Sequence, residues 1–377
     1  MKVTLHIGQS KTGTSAIQSF LTINRKALAD QGILYPAASV WGMPVDLGSH
    51  NAVADAIAGK VSYPHISAEK YREAFFKEAH QRSLHHMILS AEHFFGGHPR
   101  VWDISDERDY DAAYQIKVQR TARWLTGCDV DLIVYLRPHA SWLSSGIAQN
   151  IRTAGFVANL DPLMSDLEFF EMFRPTLRYE RLLSMWRAIL APRTLTVVPY
   201  RRDTLINGSS VHDFLFHAGI DANRLPQVSA KHEINPSLTR EYLEVRRQRT
   251  KTFRSVSEAR VATKCLEALS RTSSEPSIYS LSKDALEAVN RLAEEDNIDL
   301  MREFGVSVGA ASNTLDYPPL NQAKVEEADE RFCHEMRRPH YRRMVTAMSI
   351  KELLRNHALP LHALLHQVKR AKNMGRR

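Results

Sequence analysis

Four short apolar runs, each set off from the next by stretches of helical spacing, limit this chain to few architectures. They are "KVTLHI" (2–7), "HMILS" (86–90), "VDLIVYL" (130–136) and "TLTVVPY" (194–200). Runs so continuous in Val, Ile and Leu read as strands buried on both faces, and strands separated by helices pair in parallel. Residues 14–31 follow the first run as a helix with Ile17, Phe20, Leu21 and Leu28 on one face, and a second helical stretch, 179–189, precedes the fourth run. Beyond residue 200 the spacing turns helical, at 210–218, 237–249, 256–271 and 282–298. The expected fold is therefore α/β: a central parallel sheet flanked by helices, with a largely helical C-terminal half.

A stretch rich in small and turn residues, "GVSVGAASNTLDYPP" (305–319), marks the edge of the main domain. The expected organisation is a domain over 1–308, a linker with an acidic segment over 309–340, and a basic helical extension over 341–377. Net charge divides along the same line. From Tyr341 onward nine Lys or Arg residues face one acid, Glu352, so the extension carries the whole +8 and the rest of the chain balances. A neutral body argues against a nucleic-acid enzyme, which would spread positive charge over its surface. The extension itself suits an anionic membrane surface or a polyanionic acceptor, or a solvated terminus. The N-terminus reads as a strand, not a signal peptide, and no run reaches the ~18 apolar residues of a membrane span. Three cysteines, Cys128, Cys265 and Cys333, lie far apart and form neither a disulfide scaffold nor a zinc site. The expected location is cytoplasmic, with peripheral contact at the inner membrane surface open through the extension, and no metal is expected.

Between the first strand and its helix lies "HIGQSKTGTSAIQ". Gly8 and Gly13 have the separation of a nucleotide-triphosphate loop, G-x-x-x-x-G-K-[ST], but Thr14 holds the lysine's position and the lysine is Lys11, inside the loop. Backbone N–H groups from Thr12 to Ser15 open a helix, where the dipole favours an anion, and the Thr14 and Ser15 hydroxyls add donors. Three functional candidates fall just past strand ends: Lys11 after the first, Glu92 after the second and Arg137 after the third. In an open parallel sheet ligands bind outside these carboxyl ends, so the three converge on one crevice. Arg137 is followed eight residues later by Ser145, a guanidinium and a hydroxyl suited to a phosphate monoester.

Together these segments resemble the sulfotransferases that use 3′-phosphoadenosine-5′-phosphosulfate (PAPS), with a P-loop-like fold. Their 5′-phosphosulfate loop places lysine before the glycine, as "SKTGTS" does. Their 3′-phosphate site pairs a strand-end arginine with a serine eight residues on, as Arg137 and Ser145 stand. The chain looks closest to bacterial sulfotransferase-like proteins over about Met1 to Val308, with "YERLLSMWRAI", "LTVVPYRRDTL" and "VHDFLFHAGI" adding to the likeness. It departs from the pattern at Gly146, where the family often has an aromatic residue, and in having no recognisable R-K-G loop; Arg201, Arg202 and Lys231 are candidates to replace it. The resemblance implies PAPS as donor, bound by Lys11, Thr12, Gly13, Thr14, Ser15, Arg137 and Ser145. It implies transfer of a sulfuryl group to a hydroxyl or amine, with a carbohydrate or glycolipid as the first acceptor expected. Lys11 would stabilise the leaving phosphate. Glu92 resembles the catalytic glutamate of the carbohydrate sulfotransferases. His50, opening a helix, titrates in the useful range and is a second candidate base, with His93 a third. Two rivals remain: a P-loop kinase or phosphotransferase, which needs lysine at position 14, and a non-catalytic nucleotide-fold protein that works through its basic tail.

Overall fold

A computed structural model describes residues 1–37, 48–60, 66–97, 99–101, 104, 106–155, 160–201, 203–226, 237–309 and 320–349. The four expected strands are present, with one more. In chain order they are β1 (Lys2–His6), β2 (Ile33–Leu34), β3 (His86–Ser90), β4 (Asp129–Leu136) and β5 (Thr194–Pro199). All pair in parallel, in the order β2-β3-β1-β4-β5. Every residue of β3, and all of β4 after Asp129, is buried, as a strand covered on both faces requires. Among the described residues no strand follows β5, so the later half is helical, and no helix is long and apolar enough to cross a membrane.

The helix expected over 14–31 is two helices, Thr14–Ile23 and Arg25–Ala29. Asn24 makes the break: its side-chain amide donates to the Phe20 carbonyl at 2.9 Å, competing with the next helical turn. Ile17, Leu21 and Leu28 still face the sheet, packed with Ile88, Ile133 and Phe214.

Two compact units divide the chain. One comprises Met1–Leu143, Ser165–Asn235 and Leu281–Thr314, and contains the whole sheet. The other is formed by Ser144–Met164, Pro236–Ser280 and the described part of Leu315–Arg377. In the second unit the helices Arg240–Gln248, Val256–Ser270 and Gln322–Met336 pack on one another. Arg249 forms a two-pronged pair with Asp329 there. The acidic segment expected near residue 325 is thus a helix that buries Val325, Ala328 and Phe332. Residues 310–319 of the expected linker and 350–377 of the basic extension lie outside the described residues.

Two sheet histidines give the fold a definite acid response. His6 on β1 and His86 on β3 are buried, the latter hydrogen-bonded to the Thr4 hydroxyl at 2.8 Å. Burial lowers the His6 pKa to about 3; burial, aided by Lys2, lowers that of His86 to about 4. In the unfolded chain both rings protonate near pH ~6.5, so below that pH the unfolded state binds more protons and stability falls. The loss continues until each folded-state value is reached. At pH ~5 each ring is expected to cost about 2 kcal/mol relative to neutral pH. Urea unfolding at the two pH values checks this, and His6→Gln should remove about half of the pair's combined loss; an equal loss in that variant would contradict the assignment.

Candidate active site

β1 and β4 lie side by side, yet their onward connections leave toward opposite edges, to β2 and to β5. Such a switch point opens a crevice at the strands' carboxyl ends. The loop after β1 fills its floor. Gly8 is required there, because a Cβ would stand 2.3 Å from Cγ2 of Thr14. Gly13, at φ 75°, caps the helix Thr14–Ile23. A Cβ on it would meet the Ser210 hydroxyl at 2.7 Å and the Tyr200 hydroxyl at 3.0 Å. The Ala16 and Ile17 amides bond the Gly13 carbonyl, whereas Thr14 and Ser15 hold the first helical positions, where an amide has no carbonyl within its own helix. Those two amides face the end of the helix on which an anion is favoured.

Lys11 itself is left-handed, at φ 70°, a conformation that costs a non-glycine residue about 1–2 kcal/mol. Two contacts hold the loop in this shape. The Thr12 hydroxyl donates to the Gln9 carbonyl at 2.6 Å, and the Arg137 guanidinium donates to the Lys11 carbonyl at 3.2 Å. Gln9 extends the bracing. Its amide group donates to the Tyr179 hydroxyl at 2.9 Å while its carbonyl oxygen accepts from the Arg137 amide at 2.9 Å. Tyr179 closes the circuit by donating to the Arg137 carbonyl at 3.1 Å. The Tyr179 ring is stacked on His139, 4.2 Å between centroids, and His139 Nε2 donates to buried Asp296 at 3.0 Å. The end of β4 and the loop after β1 thus form one braced body.

Arg137 has a second partner, the Ser141 hydroxyl, at 2.8 Å from its Nε. Burial lowers its pKa, though a guanidinium keeps its proton under any ordinary condition. Ser145 lies one turn beyond Ser141 on the helix His139–Thr153 and belongs to the second unit. Arg201 pairs with Asp203 at 3.2 Å, and Arg202 and Lys231 lie outside the described residues.

Glu92 opens the short helix Glu92–Phe95 directly after β3, and its carboxylate accepts the Thr14 hydroxyl's hydrogen. This contact joins the candidate base to the anion loop. His50 has a different place. It is fully buried, its Nδ1 accepts the Ser90 amide at 3.0 Å, and its Nε2 must then carry the hydrogen donated to the Pro36 carbonyl at 3.0 Å. With Tyr35 and Phe75 edge-on to the ring, His50 anchors the end of β3. His93 is better exposed. Its Nδ1 donates to Asp55 at 2.9 Å, and its amide to Asn51 at 3.2 Å. Burial pushes the Asp55 carboxyl pKa up, but the His93 hydrogen bond and the Lys60 ammonium at 3.3 Å outweigh it and hold it below the usual range.

A cavity of about 200 Å³ adjoins these groups. Gln9 and Ser10 of the loop, Glu92 and His93 line it, together with the rings of Trp142 and Phe173. Among the described residues no group of three or more His, Cys, Asp or Glu is gathered as if to hold a metal ion. Arg137 contacts the Lys11 carbonyl and Glu92 the Thr14 hydroxyl, so both touch the loop after β1, and of Lys11, Glu92 and Arg137 only Glu92 lines this cavity. Gln9, Tyr179 and Asp55 were not anticipated, because each acts through a partner remote in sequence, and Ser141 was not because its contact with Arg137 depends on the guanidinium folding back over the next helix. No protein-family model, no curated protein and no solved structure matches the chain.

Proposed function

We propose that the chain is a PAPS-dependent sulfotransferase with a P-loop-like fold, moving a sulfuryl group to an acceptor hydroxyl. The observation that carries this reading is the joining of three strand ends around one anion loop. Arg137 braces the Lys11 peptide from β4, and Glu92 reaches the Thr14 hydroxyl from β3. The loop amides of Thr12, Gly13, Thr14 and Ser15, with the Ser15 hydroxyl, take the 5′-phosphosulfate, while the Thr12 and Thr14 hydroxyls hold the loop through Gln9 and Glu92. Lys11 then stabilises charge on the bridging oxygen as the sulfur–oxygen bond breaks, by analogy with phosphoryl transfer. Glu92 takes the acceptor's proton: it stands beside the loop, whereas both nitrogens of His50 are engaged in holding the backbone. Arg137 takes the donor's 3′-phosphate in this reading. A kinase reading is less well supported, since Thr14 occupies the position its lysine needs. No comparable observation favours the tail-based reading, whose residues 350–377 lie outside the described structure.

Arg137→Ala tests the reading. It is expected to weaken adenosine 3′,5′-bisphosphate far more than adenosine 5′-phosphate, as loss of a charge-assisted contact worth about 1.5–3 kcal/mol requires. Equal weakening of both nucleotides would leave Arg137 as a brace for the loop and nothing more.

A further inference from the structure

We infer that Lys117 is a positioning residue for the transfer reaction: buried behind the cavity wall, it fixes the turn that carries Glu92 and His93. The inference rests on the sulfuryl-transfer reading. The helix Glu92–Phe95 is a single turn, closed by a bond from the Gly96 amide to the Glu92 carbonyl at 2.9 Å. So short a helix has no stability of its own, and the carbonyls at its end find no amide within it. Lys117 supplies the donors. From the helix Glu107–Trp124, its Nζ donates to the Phe95 and Gly96 carbonyls, each at 3.3 Å, and lies 3.9 Å from the centre of the Tyr114 ring. Two carbonyls and a ring face make three acceptors for the three hydrogens of an ammonium. A cation at a helix C-terminus is favoured by the dipole, and burial leaves that attraction little screened.

The bed on which the lysine lies is itself fixed. Tyr114 is fully buried, and its hydroxyl accepts the Trp186 indole N–H at 2.9 Å. Beyond Gly96 the chain folds back on the turn: Gly97 has φ 75°, and a Cβ there would stand 2.6 Å from Cγ of His93. Thr14 holds Glu92 at the start of the turn and Asp55 holds His93 at its side. Lys117 secures its end. The arrangement is costly, since Lys117 is only 2% exposed. Burial lowers its pKa well below that of an ordinary lysine, and Asp55 opposes the shift. An apolar side chain of similar volume would pack there at less cost, yet it would leave both carbonyls without a donor. Stability is given up at this position for order in the turn that bears the candidate base.

The test compares the full chain with Lys117→Met, alone and in a Glu92→Gln background, each saturated with adenosine 3′,5′-bisphosphate for amide hydrogen exchange. Release of the bisphosphate from PAPS, with water as acceptor, gives turnover. Lys117→Met is expected to speed exchange over residues 92–97 at least about tenfold, as loss of two donors requires, with no change over 8–15. Turnover should fall about 10–100-fold while KM for PAPS and bisphosphate affinity hold, the mark of a displaced base beside an intact donor site. In the Glu92→Gln background the same substitution should cost nothing further, since no base is left to misplace. Unchanged exchange over 92–97, faster exchange spread through the sheet, or an equal further loss in the Glu92→Gln background each overturn the inference and leave the donor reading standing. Should Lys117→Met fail to bind the bisphosphate, Lys117→Gln, whose amide can serve one carbonyl, replaces it. It should speed exchange over 92–97 severalfold, and no change overturns the inference. An unsubstituted chain that does not bind the bisphosphate overturns the transfer reading, and the positioning role with it.

Discussion

Replacing Lys11 with glycine is expected to stabilise the protein while removing most of its turnover. At φ 70° the lysine backbone is strained, and glycine adopts that conformation freely. The relief of about 1–2 kcal/mol is partly offset by the greater freedom of glycine in the unfolded chain, which leaves a net gain of about 0.5–1 kcal/mol. The Arg137 hydrogen bond to the residue 11 carbonyl survives, because it uses only the main chain. What disappears is the ammonium group. If it stabilises the leaving oxygen, turnover falls by about 10²–10³-fold, the effect of removing one preorganised donor from a transition state. Thermal melting and single-turnover assays of the same preparation separate the two effects. A variant that is more stable and equally active would place Lys11 outside the chemistry.

The Glu92→Gln variant should lose about 10²–10⁴-fold in turnover, the usual contribution of a positioned general base. Glutamine is the informative replacement because its amide oxygen still accepts the Thr14 hydroxyl, so the link between the turn after β3 and the loop persists. Donor affinity is therefore expected to stay as it was. The neighbouring His93, held by Asp55, provides the contrast. Should Glu92→Gln retain turnover while His93→Gln loses it, the imidazole is the base and the carboxylate only orders the loop.

Much of this arrangement is legible in the sequence where a local pattern decides it. The runs that became β1, β3, β4 and β5 are apolar enough to be recognised alone, and the residue just past each strand end follows from the topology. β2 could not be read, since the two residues Ile33 and Leu34 are too few to show a period. The break at Asn24 depends on one side chain turning back to its own helix, which spacing does not reveal. Helix-opening position made His50 a plausible base, but its burial among Tyr35, Phe75 and the end of β3 is tertiary. The Gln9–Tyr179–Arg137 circuit is of the same kind, joining residues from three distant parts of the chain. Division into two discontinuous units was likewise invisible, because composition does not change at Ser144 or Pro236.

The most direct test of the central claim is calorimetric titration of the purified chain with adenosine 3′,5′-bisphosphate, beside ATP with magnesium. The loop with its lysine at position 11, the threonine at position 14 and the strand-end Arg137 predict tight binding of the bisphosphate and none of ATP. Binding of ATP with magnesium in preference to the bisphosphate would contradict the account and make the chain a phosphotransferase; binding of neither would remove the nucleotide from its function altogether.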